Sequence, residues 1–151
     1  MLLYRLAKTT RATDLTGEGA KRAGGRWNHM GIPVVYTAEN GALAILEVLQ
    51  YANIDDIYSF SMLTIEVPDN ATVQSVSVSD LSVGWHQYPH LEETKEIGRV
   101  WFDQRKALIL RVPSAIYPSE TNWLINPQHP DAEQIRIVSV IPFLFSGRLF
   151  K

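Results

Sequence analysis

Residues 24–49 read GGRWNHMGIPVVYTAENGALAILEVL, and three kinds of local structure follow one another within them. The glycines and polar residues at the start of this segment predict a loop. Residues 33–36 (PVVY) are short and apolar, which predicts a buried strand. Residues 42–51 (ALAILEVLQY) contain strong helix formers without proline or glycine and predict a helix. Apolar side chains surround this helix almost completely, so we expect it to be buried.

The rest of the chain carries short strand patterns and one further helix pattern. LLYRLA at residues 2–7 alternates like a strand, whereas the polar, glycine-bearing residues 9–30 predict a loop. The other expected elements are a helix at residues 92–106, a loop at 81–90 and strands at 58–67, 71–78, 108–112, 122–126 and 135–142. Because strands and helices do not alternate regularly, a doubly wound parallel sheet is excluded. The pattern predicts an α+β fold: a single compact domain of residues 1–151 with a mixed, largely antiparallel sheet and a few helices.

The composition of the 151 residues is that of a globular protein, with 46% hydrophobic and 20% charged residues, and one domain accommodates this length. The absence of cysteine excludes disulfides, thiolate chemistry and cysteine-ligated zinc. The chain has neither a signal-peptide pattern nor an apolar run long enough to span a bilayer, so we predict a cytoplasmic protein without a membrane partner. A formal net charge of −2 argues against nucleic acid as a partner of this chain alone.

Glu47 is the one charged residue in the helix predicted at residues 42–51. A carboxylate on an apolar helix face is costly unless it is paired or hydrogen-bonded. One interpretation is a structural salt bridge to a core arginine such as Arg5 or Arg26. The other is a carboxylate poised in a functional pocket. The residue taken alone leaves both interpretations open.

Arg26 follows two glycines that would let the backbone approach a ligand closely. Its planar guanidinium suits phosphate oxygens, although a solvated loop arginine is the plainer interpretation. Tyr36 and Trp27 could stack on a ring, or they could simply pack in the core. Ser114, which follows Pro113, is either a turn residue or a functional hydroxyl.

Several other catalytic and cofactor-binding patterns are missing from the sequence. The chain has no dinucleotide-binding Gly-x-Gly-x-x-Gly, no Walker A sequence and no Gly-x-Ser-x-Gly elbow. His86 and His90 lie four residues apart in a predicted loop, and His29 and His129 are isolated. With no cysteine and no obvious third ligand nearby, we predict no metal site.

The segment at residues 24–49 resembles the signature block of RES domain proteins, a family named for an arginine, a glutamate and a serine. Tyr4-Arg5 near the start, and the later segments VPSA and NWLINPQHP, match the family in the same order. The resemblance covers most of the chain, although residues 52–107 carry little of it. RES domain proteins are typically toxins of bacterial toxin–antitoxin systems, and their fold is similar to that of ADP-ribosyltransferases.

The resemblance implies that NAD is consumed as a substrate and is not held as a cofactor. The implied catalytic residues are Arg26, Tyr36 and Glu47, and the implied NAD-binding residues are Arg5, Arg26, Tyr36 and Ser114. Breaking the nicotinamide–ribose bond passes through a cationic sugar, which the carboxylate of Glu47 would stabilise. The arginines would hold the pyrophosphate with Ser114 as a further donor, and Tyr36 would pack against nicotinamide or ribose. Trp27 would support the loop.

The same resemblance implies partners and leaves the final step of the reaction open. A cognate Xre-like antitoxin would cover the active site, and the chain could form a homo-oligomer or hetero-oligomer. The acceptor of the ADP-ribose would be water, phosphate or a protein side chain. Two other functions remain as alternatives: a non-catalytic α+β binding module in which Arg26 and Glu47 form a buried ion pair, and an ADP-ribosyltransferase that acts on nucleic acid.

Overall fold

The computed structural model describes residues 1–150, in which seven strands form one sheet that carries three α-helices. The strands are β1 (Leu2–Lys8), β2 (Val35–Ala38), β3 (Phe60–Glu66), β4 (Val73–Ser75), β5 (Ile109–Pro113), β6 (Thr121–Ile125) and β7 (Arg136–Phe143). The helices are α1 (Glu18–Ala23), α2 (Gly41–Leu49) and α3 (Glu92–Gln104). Short 3₁₀ turns lie at Thr9–Arg11, Ile54–Asp56, Val78–Asp80, Pro130–Gln134 and Gly147–Phe150.

The strands are ordered β4-β5-β6-β2-β1-β3-β7 across the sheet. β4 runs parallel to β5, and every other neighbouring pair within residues 1–150 is antiparallel. The predicted α+β domain with a mixed, largely antiparallel sheet is therefore confirmed.

The sheet opens at its centre, between β1 and β2. These two strands share a single register pair, Tyr4 opposite Ala38. By contrast, β1 pairs with β3 along its whole length, and β2 pairs with β6 along its whole length. Beyond Tyr4 the two central strands therefore diverge, and Arg5 and Tyr36 lie on the strands that border this opening.

Both longer helices cover the same face of the sheet. Strand alternation places Leu6 and Ala38 on this face at one end, and Leu110 and Leu124 at the other. The first end packs against α2 and the second against α3. The opposite face is covered by connecting segments that contribute Leu15, Ala132 and Ile135. The opening in the sheet thus lies beside the end that α2 covers.

The segment at residues 9–30 is not wholly a loop, because it contains the six-residue helix α1. Of the glycines that predicted a loop, Gly17 and Gly24 flank this helix, and Gly19 lies inside it. Gly17 precedes it with φ of +75°, and Gly24 ends it with φ of +69° while its N–H donates to the Ala20 carbonyl. Left-handed backbone of this kind favours glycine at helix ends.

α2 and β4 also depart from the sequence-based predictions. α2 buries Leu43, Ala44 and Val48, but Leu46 on its outer side is 38% exposed, so the expected burial holds for one face only. The strand expected at residues 71–78 is paired only at Val73–Ser75, because the chain then turns into a 3₁₀ segment capped by Ser77. Within residues 1–150, none of the helices combines the length and apolar character that crossing a membrane requires.

Candidate functional site

Glu47 lies on α2 and is held by two neutral donors from distant parts of the chain. Asn40 caps the start of α2 by accepting a hydrogen bond from the Leu43 amide (2.8 Å). Glu47 lies one helical turn after Leu43, and its Oε1 accepts hydrogen bonds from Ser114 Oγ (2.8 Å) and Asn122 Nδ2 (2.7 Å). Hydroxyl and amide donors orient a carboxylate without cancelling its charge.

Strand pairing explains how the two donors reach Glu47. Asn122 on β6 stands opposite Ala38, which in turn stands opposite Tyr4, so all three residues share the face that α2 covers. Ser114 directly follows β5 and is fully buried. Its Oγ also accepts hydrogen bonds from the amides of Ile116 (3.1 Å) and Tyr117 (3.2 Å). The Ser114 hydroxyl is therefore fully engaged within the protein.

The salt-bridge interpretation of Glu47 is wrong, because neither candidate arginine pairs with it within residues 1–150. Arg26 Nη1 instead donates to the carbonyl oxygens of Trp85 (2.8 Å) and Gln87 (3.0 Å). Arg5 Nη1 donates to the carbonyl oxygen of Asp14 (2.7 Å). Both guanidinium groups are held by backbone, so their charges remain available to a ligand.

Arg26 and Glu47 are nevertheless close enough to influence each other. Burial lowers the pKa of the Arg26 guanidinium, while the nearby Glu47 and Tyr36 raise it. In the described part of the chain, Nε and Nη2 of Arg26 have no hydrogen-bond partner, and no buried polar side-chain atom is left unsatisfied. These two nitrogens therefore point to an accessible space, where a guanidinium fork can bind an anion.

The loop that presents Arg26 is built around a buried asparagine. Asn28 is fully buried, and its Nδ2 donates to the carbonyl oxygens of Ala20 (2.9 Å), His29 (3.2 Å) and Ile32 (3.0 Å). The backbones of Gly25 and Asn28 bond to each other in a tight turn. A side chain on Gly25 would place its Cβ only 2.8 Å from the Tyr36 hydroxyl, so this position requires glycine.

α3 fixes the same loop from the other side. A Cβ on Gly98 of α3 would lie 1.6 Å from the carbonyl oxygen of Trp27, so the helix backbone packs directly on the loop backbone. Thr94 Oγ1 donates to the carbonyl oxygen of Arg26 (2.6 Å). The Trp27 ring is buried beside Trp85, with 6.3 Å between ring centroids. Trp27 thus supports the loop from within the core.

Tyr36 completes the support of this loop from β2. Its hydroxyl donates to Asn28 Oδ1 (2.6 Å) and accepts a hydrogen bond from the Trp27 amide (3.2 Å). Burial raises the pKa of Tyr36, so the phenol stays neutral at physiological pH. The hydroxyl is committed to the loop, which favours a role in holding Arg26 in place.

Arg5 lies on β1, which borders the opening, and its charge acts on Tyr51 just beyond α2. Burial lowers the pKa of Arg5, and Asp14 and Tyr51 oppose that shift. Although 71% of the Tyr51 side chain is exposed, loss of hydration raises the pKa of its hydroxyl, Arg5 lowers it and Glu47 raises it. The charges of Arg5 and Glu47 thus act on the Tyr51 hydroxyl in opposite directions.

His29 is not isolated, because the fold places it beside α3. Its Nε2 lies 3.1 Å from Glu92 Oε1 and 3.5 Å from Glu96 Oε2. Glu96 is also paired with Arg99, and all these groups are at least partly exposed, so ion pairing accounts for the cluster. His129 accepts a hydrogen bond from the Asp131 amide (3.1 Å) and caps a 3₁₀ turn. The absence of a metal site stays a prediction.

Four residues near the site were not predicted from the sequence to have a role there: Tyr51, His90, Thr94 and Asn122. Burial, and then the charges of Arg26 and Lys95, lower the pKa of His90, while the Gly25 backbone partly offsets them. The four-residue spacing from Glu47 was a signal for Tyr51.

Two cavities, of about 280 Å³ and 440 Å³, are lined by other residues and contain neither Glu47 nor Arg26. The hydrogen bonds around Glu47, not cavity size, therefore locate the candidate site.

Comparison with known proteins links this chain to one family and to toxins. The model of the RES domain matches residues 2–146. A Prs ADP-ribosylating toxin of Sphingobium sp. (strain YBL2) is 39% identical over 148 residues, which span 96% of this chain and 92% of the relative. A Toxin Res of Pseudomonas putida is 41% identical over 153 residues, which span 99% of this chain and 100% of the relative.

A solved structure shares the fold. A chain in the crystal structure of the M. tuberculosis MbcT–MbcA toxin–antitoxin complex matches 95% of this chain and 84% of its own length, with a TM-score of 0.79. The sequence identity is 20%, so this likeness concerns the fold alone.

Proposed function

Because the chain belongs to the RES domain family, we propose that it is the toxin of a toxin–antitoxin pair and cleaves the nicotinamide–ribose bond of NAD. One observation carries the catalytic part: Glu47 is oriented by Ser114 and Asn122 and is paired with no cation in residues 1–150. A carboxylate arranged in this way keeps its negative charge for a ligand. It suits a reaction whose transition state is positively charged.

Cleavage of the nicotinamide–ribose bond has such a transition state. The electron pair of the C–N bond leaves with the pyridinium nitrogen, so nicotinamide departs neutral and needs no proton. The ribose becomes an oxocarbenium-like cation, as in glycoside hydrolysis. Glu47 stabilises that developing charge, and a fixed charge in a water-poor site does so most effectively.

The two arginines supply the complementary charge for the pyrophosphate. Arg26 offers Nε and Nη2, and Arg5 lies across the opening on β1. A guanidinium group matches phosphate oxygens with two parallel hydrogen bonds. In this proposal Ser114 acts through Glu47 and not by touching NAD, because its hydroxyl is buried and already bonded. Tyr36 likewise acts by holding the loop that carries Arg26.

The acceptor of the ADP-ribose defines the class of enzyme. Water gives a glycohydrolase, phosphate gives a phosphorylase, and a protein side chain gives a transferase. The name of the Sphingobium relative, an ADP-ribosylating toxin, favours the transferase among these outcomes. The non-catalytic binding module loses its main support, because Arg26 and Glu47 do not form the ion pair on which it rested.

The proposed partner is a cognate Xre-like antitoxin that covers the opening between β1 and β2. The MbcT–MbcA structure, a toxin–antitoxin complex of the same fold, supports a partner of this class. Covering this opening is the simplest way to silence a toxin that acts on a small molecule.

The experiment is to incubate the purified protein with NAD and to follow nicotinamide release by chromatography. Reactions with buffer alone, with inorganic phosphate and with cell lysate distinguish the three acceptors by the ADP-ribose product each one yields. We expect release with the wild type and none with Glu47→Gln. Intact NAD in all three wild-type reactions, lysate included, would overturn the proposal.

A further inference from the structure

Glu39 is a half-buried carboxylate just before the helix that carries Glu47, and it has no role in the reaction described above. Its Oε1 accepts a hydrogen bond from the Thr121 amide (2.8 Å), and its Oε2 accepts one from the Thr121 hydroxyl (2.9 Å). The Glu39 amide in turn donates to the Thr121 carbonyl oxygen (3.3 Å). The backbone and both carboxylate oxygens of Glu39 are therefore bonded to one residue 82 positions along the chain.

Thr121 is the direct neighbour of Asn122, whose amide orients Glu47. β6 begins at Thr121, and successive residues of a strand point to opposite faces of a sheet. Asn122 points to the face that α2 covers, so the Thr121 side chain points to the other face. Glu39 thus holds β6 from one side of the sheet at the point where the next residue reaches Glu47 on the other side.

Glu39 also lies at the point where the chain enters α2. The next residue, Asn40, caps that helix through its side-chain oxygen. Asn40 Nδ2 donates to Glu120 Oε2 (3.1 Å), so a further hydrogen bond joins the same two segments of the chain. The start of α2 and the start of β6 are therefore tied together at two successive pairs of residues.

The chemistry of Thr121 explains why a carboxylate stands at position 39. The Thr121 hydroxyl accepts a hydrogen bond from Trp123 Nε1 (3.1 Å), while its own proton is donated to Glu39. Together with its amide, Thr121 presents two donors, so the group that faces them must accept twice. The two oxygens of a carboxylate do so, whereas glutamine replaces one acceptor by an NH₂ donor.

We propose that Glu39 is a positioning residue for the cleavage reaction, an inference that rests on the function proposed above. Through Thr121 it holds the Asn122 amide where that amide orients Glu47. The path from Glu39 through Thr121 and Asn122 to Glu47 returns to Glu39 along the backbone of α2, so these contacts form a closed ring. A closed ring leaves the amide little freedom to shift against the carboxylate, and a shift of about 1 Å slows a reaction on the order of 10²-fold.

The first test is the kinetics of Glu39→Ala and Glu39→Gln, each assayed below the temperature at which it unfolds. Glu39→Ala removes both bonds to Thr121, so we expect kcat for NAD cleavage to fall about 10- to 100-fold with KM little changed. Glu39→Gln keeps one acceptor and should lie between Glu39→Ala and the wild type. Glu93→Ala is the matched control, because Glu93 on α3 accepts hydrogen bonds from the amide (3.2 Å) and hydroxyl (3.1 Å) of Ser82 in the same way. It loses the same kinds of hydrogen bond and should keep the wild-type kcat.

A double-mutant cycle separates positioning from a general loss of stability. If Glu39 acts through Asn122, then Asn122→Ala already removes the group that Glu39 holds. Adding Glu39→Ala to Asn122→Ala should then lower kcat by less than about 2-fold, although the same change slows the wild type about 10- to 100-fold. A general loss of stability has no reason to disappear in the Asn122→Ala background.

The possible results separate this inference from the proposed function. An unchanged kcat in Glu39→Ala, or a raised KM without a fall in kcat, would show that Glu39 does not position the catalytic carboxylate. An undiminished loss of kcat in the Asn122→Ala background would show that it does not act through Asn122. Each of these results overturns the inference while NAD cleavage by the wild type stands. A wild-type protein that does not cleave NAD overturns the proposed function and this inference with it.

Discussion

Arg26 and Glu47 approach the same site from two regions of the molecule that are held in very different ways. The loop at residues 24–28 is fixed by the buried Asn28 and by direct backbone contact with Gly98. The end of α2 contacts the sheet through one face only, and the Glu47 carboxylate is held by Ser114, Asn122 and Gln50, the residue that directly follows the helix. Beyond α2, Tyr51 is largely exposed.

The loop side of the site is therefore the more rigid part before a ligand binds. A loop with every buried polar group satisfied presents a charged group in one position, which suits recognition of the invariant pyrophosphate. The end of α2 packs through one face only, so it is less constrained before a ligand binds. Substitutions on the loop side should therefore act mainly on stability, and those on the α2 side mainly on turnover.

Gly98→Ala should be the most damaging change on the loop side. The added Cβ would fall 1.6 Å from the Trp27 carbonyl oxygen, so α3 and the loop must separate. We expect the free energy of unfolding to fall by about 3 kcal/mol or more, measured by urea denaturation. Gly19→Ala is the matched control, because it adds a Cβ to open space within α1 and should stabilise by about 0.5–1 kcal/mol. Equal stability of the two variants would contradict direct packing of the α3 backbone on the loop.

Asn122→Ala should reveal how far the α2 side depends on its two donors. Without the Asn122 amide, Glu47 Oε1 keeps only Ser114 as a donor while Oε2 keeps Gln50, and the carboxylate can turn away from the ribose. A misplacement of about 1 Å costs on the order of 10²-fold, so we expect kcat for NAD cleavage to fall by about that factor with KM little changed. Asn70→Ala alters an exposed asparagine and should leave both constants unchanged. A rise in KM without a fall in kcat would assign Asn122 to substrate binding.

Most strands and both longer helices could be predicted from the sequence, because their patterns are local. α2 begins close to the predicted residue, and β5 follows the apolar run before Pro113. α1 could not be predicted, because its glycines look like loop residues until their position at the helix ends is known. At the site, the residue types of Arg26 and Glu47 suggested a function. The hydrogen bond from Asn122 to Glu47 could not be predicted, because it joins residues 75 positions apart that only strand pairing brings together.

Tyr36→Phe should have a smaller effect, confined to the loop side. The change removes the donor to Asn28 Oδ1 and the acceptor for the Trp27 amide, leaving two polar groups with one partner fewer. We expect a loss of about 1–3 kcal/mol in the free energy of unfolding. Tyr58→Phe, at an exposed position, should change nothing. If Tyr36→Phe keeps full stability but loses turnover, the hydroxyl acts on the substrate and not on the loop.

The smallest expected effect is that of His90 on the pH dependence of the free energy of unfolding. Burial and the charges of Arg26 and Lys95 lower the pKa of His90 in the folded state. The unfolded chain therefore binds a proton more readily than the folded one, so this contribution is present above about pH 6.5 and is lost as the pH falls through the folded pKa. Urea denaturation between pH 8 and pH 5 should show a smaller decline for His90→Gln than for the wild type. Parallel curves would mean that His90 is not coupled to the loop.

The most direct measurement is nicotinamide release by Glu47→Gln at a concentration of NAD that saturates it, with NAD binding measured in the same sample. Glu66→Gln, which alters a surface carboxylate paired with Arg136, is the control. We predict that Glu47→Gln binds NAD yet releases nicotinamide at least 10²- to 10³-fold more slowly than the wild type, on the order of the loss of one fixed stabilising group. Release at the wild-type rate would contradict the assignment of Glu47 as the group that stabilises the ribosyl cation.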